Sequence, residues 1–377
     1  MNKSRSLKIA AIVAAVSLVV IPAASATTWK AGGASSVNGL MTACQAAYQK
    51  ATGNDFPYNG TGSSDGKTGL KNGSYDFAFS DSVDTAPMAG EIHLPTFVWP
   101  VGILQNLGGS NKPLTLTTDT LAKIFAGKIT MWNDPAIVSD NNRSVTTIIY
   151  KKDAKGQVAK DAKGAPVVLR TSMLSLHRTL PAKPITVFYR NSGSGTSNNL
   201  TRALNKLAPT IWTNPANDLF STAFPGNISA NPAAFRAVSG SAGIALGVQS
   251  TPYSIGYAEV NFADAPYNLA LASVINPAGN AITPNATSAA AAAALATVAA
   301  DGTVTFNYTS TDADQYPFTA TTYALATTTH AKAAEIGKTL SYLQANCAKD
   351  NPKLGFVALD SSNAFAKAFA TQVAKLK

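Results

Sequence analysis

Charge is scarce in this chain: only 13% of its 377 residues are Asp, Glu, Lys or Arg, well below the ~25% usual in soluble proteins. Its surface must be built largely from Ser, Thr, Asn and Gln. Histidine is rarer still. His93, His177 and His330 are the three, and no two stand at metal-ligating spacing. There is no Cys-x-x-Cys and no His-Glu-x-x-His, which removes the common zinc-finger, dithiol and zincin classes. No nucleophile–base pair or metal cluster is visible, so no enzyme and no cofactor are expected. No basic arm for nucleic acid occurs. The one charge-dense stretch, Lys151 to Lys163, mixes Lys with Asp and reads as a solvated loop. Gly66-Lys67-Thr68 ends like a phosphate loop, but that motif's first glycine would have to stand at Thr61. Beyond the N-terminus no hydrophobic run is long enough for a span, so no membrane insertion is expected.

What is present begins with a leader. Lys3, Arg5 and Lys8 precede an uncharged apolar stretch, Ile9 to Ile21, and Ala24-Ser25-Ala26 supplies a small-x-small cleavage pattern. Cleavage is expected after Ala26, which places the protein in the periplasm or outside the cell. No cysteine sits at that junction, so no lipid anchor is expected. Removing 26 of 377 residues leaves 351, too many for one ordinary domain of roughly 100–200 residues. The leader holds three of the +10 net charges, leaving about +7, a weak bias toward anionic ligands. Cys44 and Cys347 are the only cysteines. Export makes a disulfide feasible, but a bridge would need the two ends of the chain side by side.

Helical and strand patterns alternate along the chain. Helices are expected at Leu40–Lys50, Thr118–Phe125, Ser197–Leu207, Ser288–Ala300, Ala331–Ala345 and Asn363–Leu376. Strands are expected at Tyr75–Ser80, Phe97–Leu104, Ile185–Tyr189, Ser254–Ala258 and Phe318–Ala326. Such alternation indicates an α/β architecture.

Three segments place glycine and hydroxyl residues where helices should start: Gly32-Gly33-Ala34-Ser35-Ser36, Gly60-Thr61-Gly62-Ser63-Ser64 and Gly193-Ser194-Gly195-Thr196. A helix N-terminus exposes free N–H groups and partial positive charge, so it suits an anion. Each segment alone reads equally as an ordinary N-cap. Arg190 ends a strand four residues before Ser194 and could grip two oxygens of an oxyanion. Asp81 ends another strand. A carboxylate repels an anion unless that anion still carries a proton to donate.

Together these segments resemble the periplasmic phosphate-binding proteins of the phosphate-specific ABC transporter. Ala-Gly-Gly-Ala-Ser (31–35), Tyr-Asn-Gly-Thr-Gly-Ser-Ser (58–64), Asp-Phe-Ala-Phe-Ser-Asp (76–81) and Arg-Asn-Ser-Gly-Ser-Gly-Thr-Ser (190–197) are similar to that family's binding loops. Leu-Ala-Lys-Ile-Phe-Ala-Gly-Lys-Ile-Thr-Met-Trp-Asn-Asp-Pro-Ala-Ile (121–137) is its most distinctive run. Ser-Ile-Gly-Tyr-Ala-Glu (254–259) and Tyr-Pro-Phe-Thr (316–319) follow in order.

The resemblance implies a two-lobed periplasmic-binding-protein fold, with the ligand cleft between lobes joined by two crossover strands. Residues 27–97 and 315–377 would form lobe one, and 98–314 lobe two. Inorganic phosphate would be held by Ser35, Ser36, Ser63, Asp81, Arg190, Ser194, Gly195 and Thr196. In that set Ser36 gives its backbone N–H and Asp81 takes the proton of hydrogen phosphate. The protein would be a monomer that hands phosphate to ABC-transporter permease subunits. Both cysteines would fall in lobe one, Cys347 just after a late helix; a bridge and two separate thiols both stay open. Two departures from the family are Ser36, where Phe is common, and Ser192, where many members are acidic. A stretch from Lys151 to His177 exceeds the usual length. The competing reading is a secreted surface or adhesion protein that reuses the same fold.

Overall fold

The strand Glu91–Asn106 is the spine of the molecule. All of its residues except the first and last are buried, the pattern of a strand covered on both faces. The computed structural model describes residues 26–109, 112–151, 153 and 159–377. Apart from Ala26, the expected leader lies outside the described residues, as does part of the charge-dense stretch.

The first half of this strand pairs antiparallel with Thr319–Thr327, from Glu91 opposite Thr327 to Pro100 opposite Thr319. Its second half pairs antiparallel with Ser254–Glu259, from Val101 opposite Glu259 to Asn106 opposite Ser254. One strand therefore carries two half-sheets. On the first, Phe77–Ser80 lies beside Thr319–Thr327, and Ala31–Gly33 and Tyr58–Asn59 continue in parallel. On the second, Thr186–Arg190 and Phe235–Val238 extend in parallel from Ser254–Glu259. The chain crosses between lobes at Pro100–Val101 and again just before Thr319. Val101 ties the two crossings together. Its N–H donates to the Phe318 carbonyl at 2.8 Å, and its carbonyl accepts from the Tyr316 hydroxyl at 2.8 Å. The result is the two-lobed α/β fold.

A register shift falls between Thr322 and Tyr323, opposite Pro95 and Phe97. Proline cannot donate to a ladder, and a bulge accommodates it. The Thr96 hydroxyl takes up the Ala324 N–H at 3.1 Å. The bulge re-aims Thr322, which matters below.

Helices Asn38–Thr52 and Ala333–Asp350 pack on lobe one. Cys44 and Cys347 are disulfide-bonded across them, with Cα atoms 5.3 Å apart and 303 residues between them in sequence. Cys347 sits within the last turns of its helix rather than after it, because that helix runs on to Asp350. Cross-linking so long a loop restricts mainly the unfolded chain. Replacing both cysteines by serine is expected to lower stability by about 2–4 kcal/mol, read as a shift of the denaturant midpoint. An unchanged midpoint would contradict a bridge that constrains the unfolded state.

Two expectations need correction. The segment from Ala286 to Thr305, expected within lobe two, packs on lobe one. Ala289, Ala293 and Val304 share a core with Leu70, Ala78, Val98, Tyr323, Leu325 and Phe365, and Gln372 Nε2 donates to the Ala300 carbonyl at 2.7 Å. Alanines four apart give the helix Ala286–Ala294 a flat face that lies close against the sheet. That helix also ends six residues before its expected limit of Ala300. The chain then forms the short hairpin Thr297–Val298 with Val304–Thr305. Around the over-long stretch Lys151 to His177, Ser144–Tyr150 and Val168–Ser175 pair antiparallel, with the charge-dense segment between them. Val168, Leu169, Met173 and Leu174 are exposed on that hairpin.

Candidate functional site

All three glycine–hydroxyl segments do open helices. Ser35 begins a short 3₁₀ turn, Ser35–Val37, that leads into Asn38–Thr52. Ser63 begins Ser63–Lys71. Ser194 is the N-cap of Gly195–Leu207, and its Oγ accepts from the Ser197 N–H. Gly62 has φ +143°, and a Cβ there would lie 2.7 Å from the Gly193 carbonyl. Only glycine satisfies both demands. A Cβ on Gly195 would meet Asp81 Cβ and Ser63 Oγ, each at 2.6 Å. The loops of the two lobes thus face each other at close range.

The structure brings the eight expected residues together where the two lobes meet, and every one is buried. Arg190 Nη1 donates to Ser35 Oγ at 2.9 Å and to Ser194 Oγ at 3.1 Å. Ser63 Oγ accepts from the Gly195 N–H at 3.0 Å and from the Asp81 N–H at 3.1 Å. Ser36 Oγ donates to Asp81 Oδ1 at 2.8 Å. Besides the backbone N–H expected of it, Ser36 thus holds the carboxylate through its hydroxyl. Thr196 Oγ1 donates to Glu259 Oε1 at 3.3 Å.

The electrostatics are set by burial. Asp81 is 3% exposed. Desolvation pushes its carboxyl up to about 7, against the hydrogen bonds from Thr322 and Ser36, which lower it. Arg190 is 2% exposed, and burial pulls its guanidinium below the ordinary range. Two of its nitrogens, Nε and Nη2, are buried without a hydrogen-bond partner. Native proteins rarely leave buried donors unmatched, and a guanidinium binds an oxyanion best through two parallel N–H groups. Hydroxyls, backbone N–H groups and the Arg190 cation therefore converge beside the Asp81 carboxylate. Among the described residues no group of His, Cys, Asp or Glu could hold a metal ion, and no helix is long and apolar enough to cross a membrane.

Sequence reasoning missed the supports. Thr322 Oγ1 donates to Asp81 Oδ1 at 2.6 Å and accepts from Trp99 Nε1 at 2.9 Å; its alignment depends on the bulge. Asn199 Nδ2 spans the lobes, donating to the Asp81 and Gly195 carbonyls at 2.5 and 2.9 Å. The Tyr257 hydroxyl accepts from the Arg190 N–H at 3.2 Å and bonds Ser197 Oγ at 2.6 Å. Lys67 of helix Ser63–Lys71 reaches Asp218 in the opposite lobe at 2.9 Å, and Ser64 and Asn198 donate to the same carboxylate. Burial works to raise Asp218, but Lys67, Ser82 and Ser64 outweigh it and hold its carboxyl below the usual range. Gly66-Lys67-Thr68 is no phosphate loop. Its lysine serves the closed cleft instead. Tyr257 and Glu259 stood inside a recognised motif, but nothing in the motif assigned them roles.

A closed interlobe cleft lined by anion donors defines a two-lobed solute-binding protein. The family model described as a PBP superfamily domain matches residues 20–345. A phosphate-binding protein PstS of Xylella fastidiosa is 30% identical over 319 residues, spanning 83% of this chain and 75% of the relative. A PstS of Pasteurella multocida is 32% identical over 255 residues, spanning 66% and 61%. The chain belongs to the PBP superfamily and, within it, to the PstS phosphate-binding proteins. The fold is similar to that of PfluDING, a high-affinity periplasmic phosphate-binding protein solved with phosphate. That match has TM-score 0.64 and 21% identity, covering 91% of this chain and 92% of the other.

Proposed function

We propose that this protein is an exported receptor that binds inorganic phosphate in the cleft and delivers it to the permease subunits of an ABC importer. The observation that carries this reading is the buried Arg190 guanidinium, with Nε and Nη2 unpartnered, near enough to the buried Asp81 carboxylate for the two charges to interact. Ser35, Ser63, Ser194 and Thr196 supply hydroxyls, and Ser36, Gly195 and Thr196 supply backbone N–H groups. Arg190 is the cation, and Asp81 receives the proton of hydrogen phosphate. Sulfate carries no such proton and meets Asp81 with unrelieved repulsion. The protein acts as a monomer in the periplasm or outside the cell, and it transfers its ligand without chemical change.

Deletion of the gene is expected to lower uptake of labelled phosphate by phosphate-starved cells, with restoration by wild type and not by Arg190→Ala. The exposed apolar hairpin residues Leu169 and Met173 favour, as a second reading, a surface role for the same fold. Normal uptake in the deletion strain, with the protein retained at the cell surface, would favour that role.

A further inference from the structure

The cleft contains a second buried carboxylate, and the anion site described above does not use it. Glu259 ends the strand Ser254–Glu259 and is 1% exposed. Its Oε1 accepts from Thr196 Oγ1 at 3.3 Å. Its Oε2 is buried without any partner. Ser241, at the start of helix Gly240–Ser250, is near enough to lower the Glu259 carboxyl and lies 3.2 Å from Ser35 Oγ. Glu259 thus touches, directly or through one hydroxyl, two of the residues assigned to the anion. The charged and titratable groups that bear on this corner are Arg190 and Asp81, with Tyr257 on Glu259's own strand beside Arg190. Thr196 and Ser241 are neutral.

Charge and hydrogen counting conflict with an ionised Glu259 once an anion enters. Arg190 is one positive charge against two carboxylates, so the corner is already negative before a dianion arrives. A buried carboxylate with an unmatched oxygen is costly. Thr196 also has a single hydroxyl proton, and Glu259 holds it. That proton cannot be given to the anion at the same time.

We infer that Glu259 is a positioning residue that takes up a proton when phosphate binds, and that this uptake turns the Thr196 hydroxyl toward the anion. The proton comes from solvent and settles on Oε1. From there it is donated to Thr196 Oγ1, whose own proton swings to a phosphate oxygen. Burial already raises the Glu259 carboxyl above its ordinary range, so uptake begins from a favourable starting point. The inference rests on the phosphate reading of the site.

Calorimetric titration with inorganic phosphate, in buffers of different ionisation enthalpy near pH 8.5, tests it. At that pH free phosphate is the dianion, and Asp81, with its carboxyl at about 7, is ionised. Wild type is expected to take up a substantial fraction of a proton per phosphate. Glu259→Gln, which mimics the neutral acid, is expected to bind at least as tightly with the uptake abolished. Its affinity should also vary less with pH over the alkaline range. Binding by wild type without proton uptake would overturn the inference and leave the phosphate reading intact. So would uptake that persists in Glu259→Gln. Loss of binding in Glu259→Gln, with rescue by Glu259→Asp, would make Glu259 a fixed counter-charge of Arg190 and would also overturn it. No binding heat from wild type would fail the phosphate reading itself.

Discussion

Arg190→Ala is expected to weaken phosphate binding more than a hundredfold. Two charge-assisted hydrogen bonds to the anion are lost, at about 1.5–3 kcal/mol each, so the loss is about 3 kcal/mol or more. Sulfate and arsenate should lose affinity to the same degree, because a guanidinium attracts without regard to protonation. The ligand-free protein should melt lower, because removing the cation leaves the buried Asp81 and Glu259 carboxylates without their counter-charge. Arg190→Lys should fall between the two, since it keeps the charge and loses the paired donors. Calorimetry and thermal melts of the three proteins without ligand check both parts. Unchanged phosphate affinity in Arg190→Ala would remove this residue from the site.

The second large effect concerns Asp81. Its Oδ1 accepts from both Ser36 and Thr322, which pin the carboxylate. Ionised, it can only accept, and sulfate offers it nothing. An unpaired buried charge pair costs several kcal/mol, so wild type near pH 8.5 should prefer phosphate by at least about a hundredfold. Asp81→Asn presents an N–H to either anion and should narrow the preference to within about tenfold.

The same logic gives a pH dependence in wild type. Below about 7 the carboxyl is protonated and turns from acceptor to donor. If only that form accepts sulfate, affinity follows the protonated fraction, which is small 1.5 units above the pKa and nearly complete 1.5 units below. Sulfate affinity should therefore rise roughly thirtyfold from pH 8.5 to pH 5.5. Competition between the two anions across that range reads it. A sulfate affinity that stays flat with pH would mean that Asp81 does not set the selectivity.

The parts of the molecule that were legible in sequence are those where local chemistry acts within a few residues. Thr118–Phe125 was read to its ends because the Thr117 side chain caps it by accepting from the Thr120 N–H. The three anion loops were visible because glycine and hydroxyls cluster just where helices begin. Supports that depend on long-range geometry were not visible. Thr322 meets Asp81 across 241 residues, and although Pro95 marks a break in the ladder, nothing local says which residue will face Asp81. Asn199 and Asp218 look like ordinary surface polar residues until the lobes close on them. The helix Ala286–Ala294 shows why lobe boundaries were hard to place. Its small apolar face fits either sheet, and only packing with Leu70, Tyr323 and Phe365 decides which. Glu259 was quoted as part of a motif without a role, because a carboxylate near an anion has no obvious use until its partners are known.

The most direct test is a pair of titrations on the wild-type protein, refolded after removal of bound ligand, near pH 8.5. One uses inorganic phosphate, the other sulfate under the same conditions. Phosphate should bind one to one with affinity in the micromolar range or tighter, and sulfate should give no saturable heat. Equal binding of the two anions, or no heat from phosphate, would contradict the assignment of this cleft as a phosphate receptor.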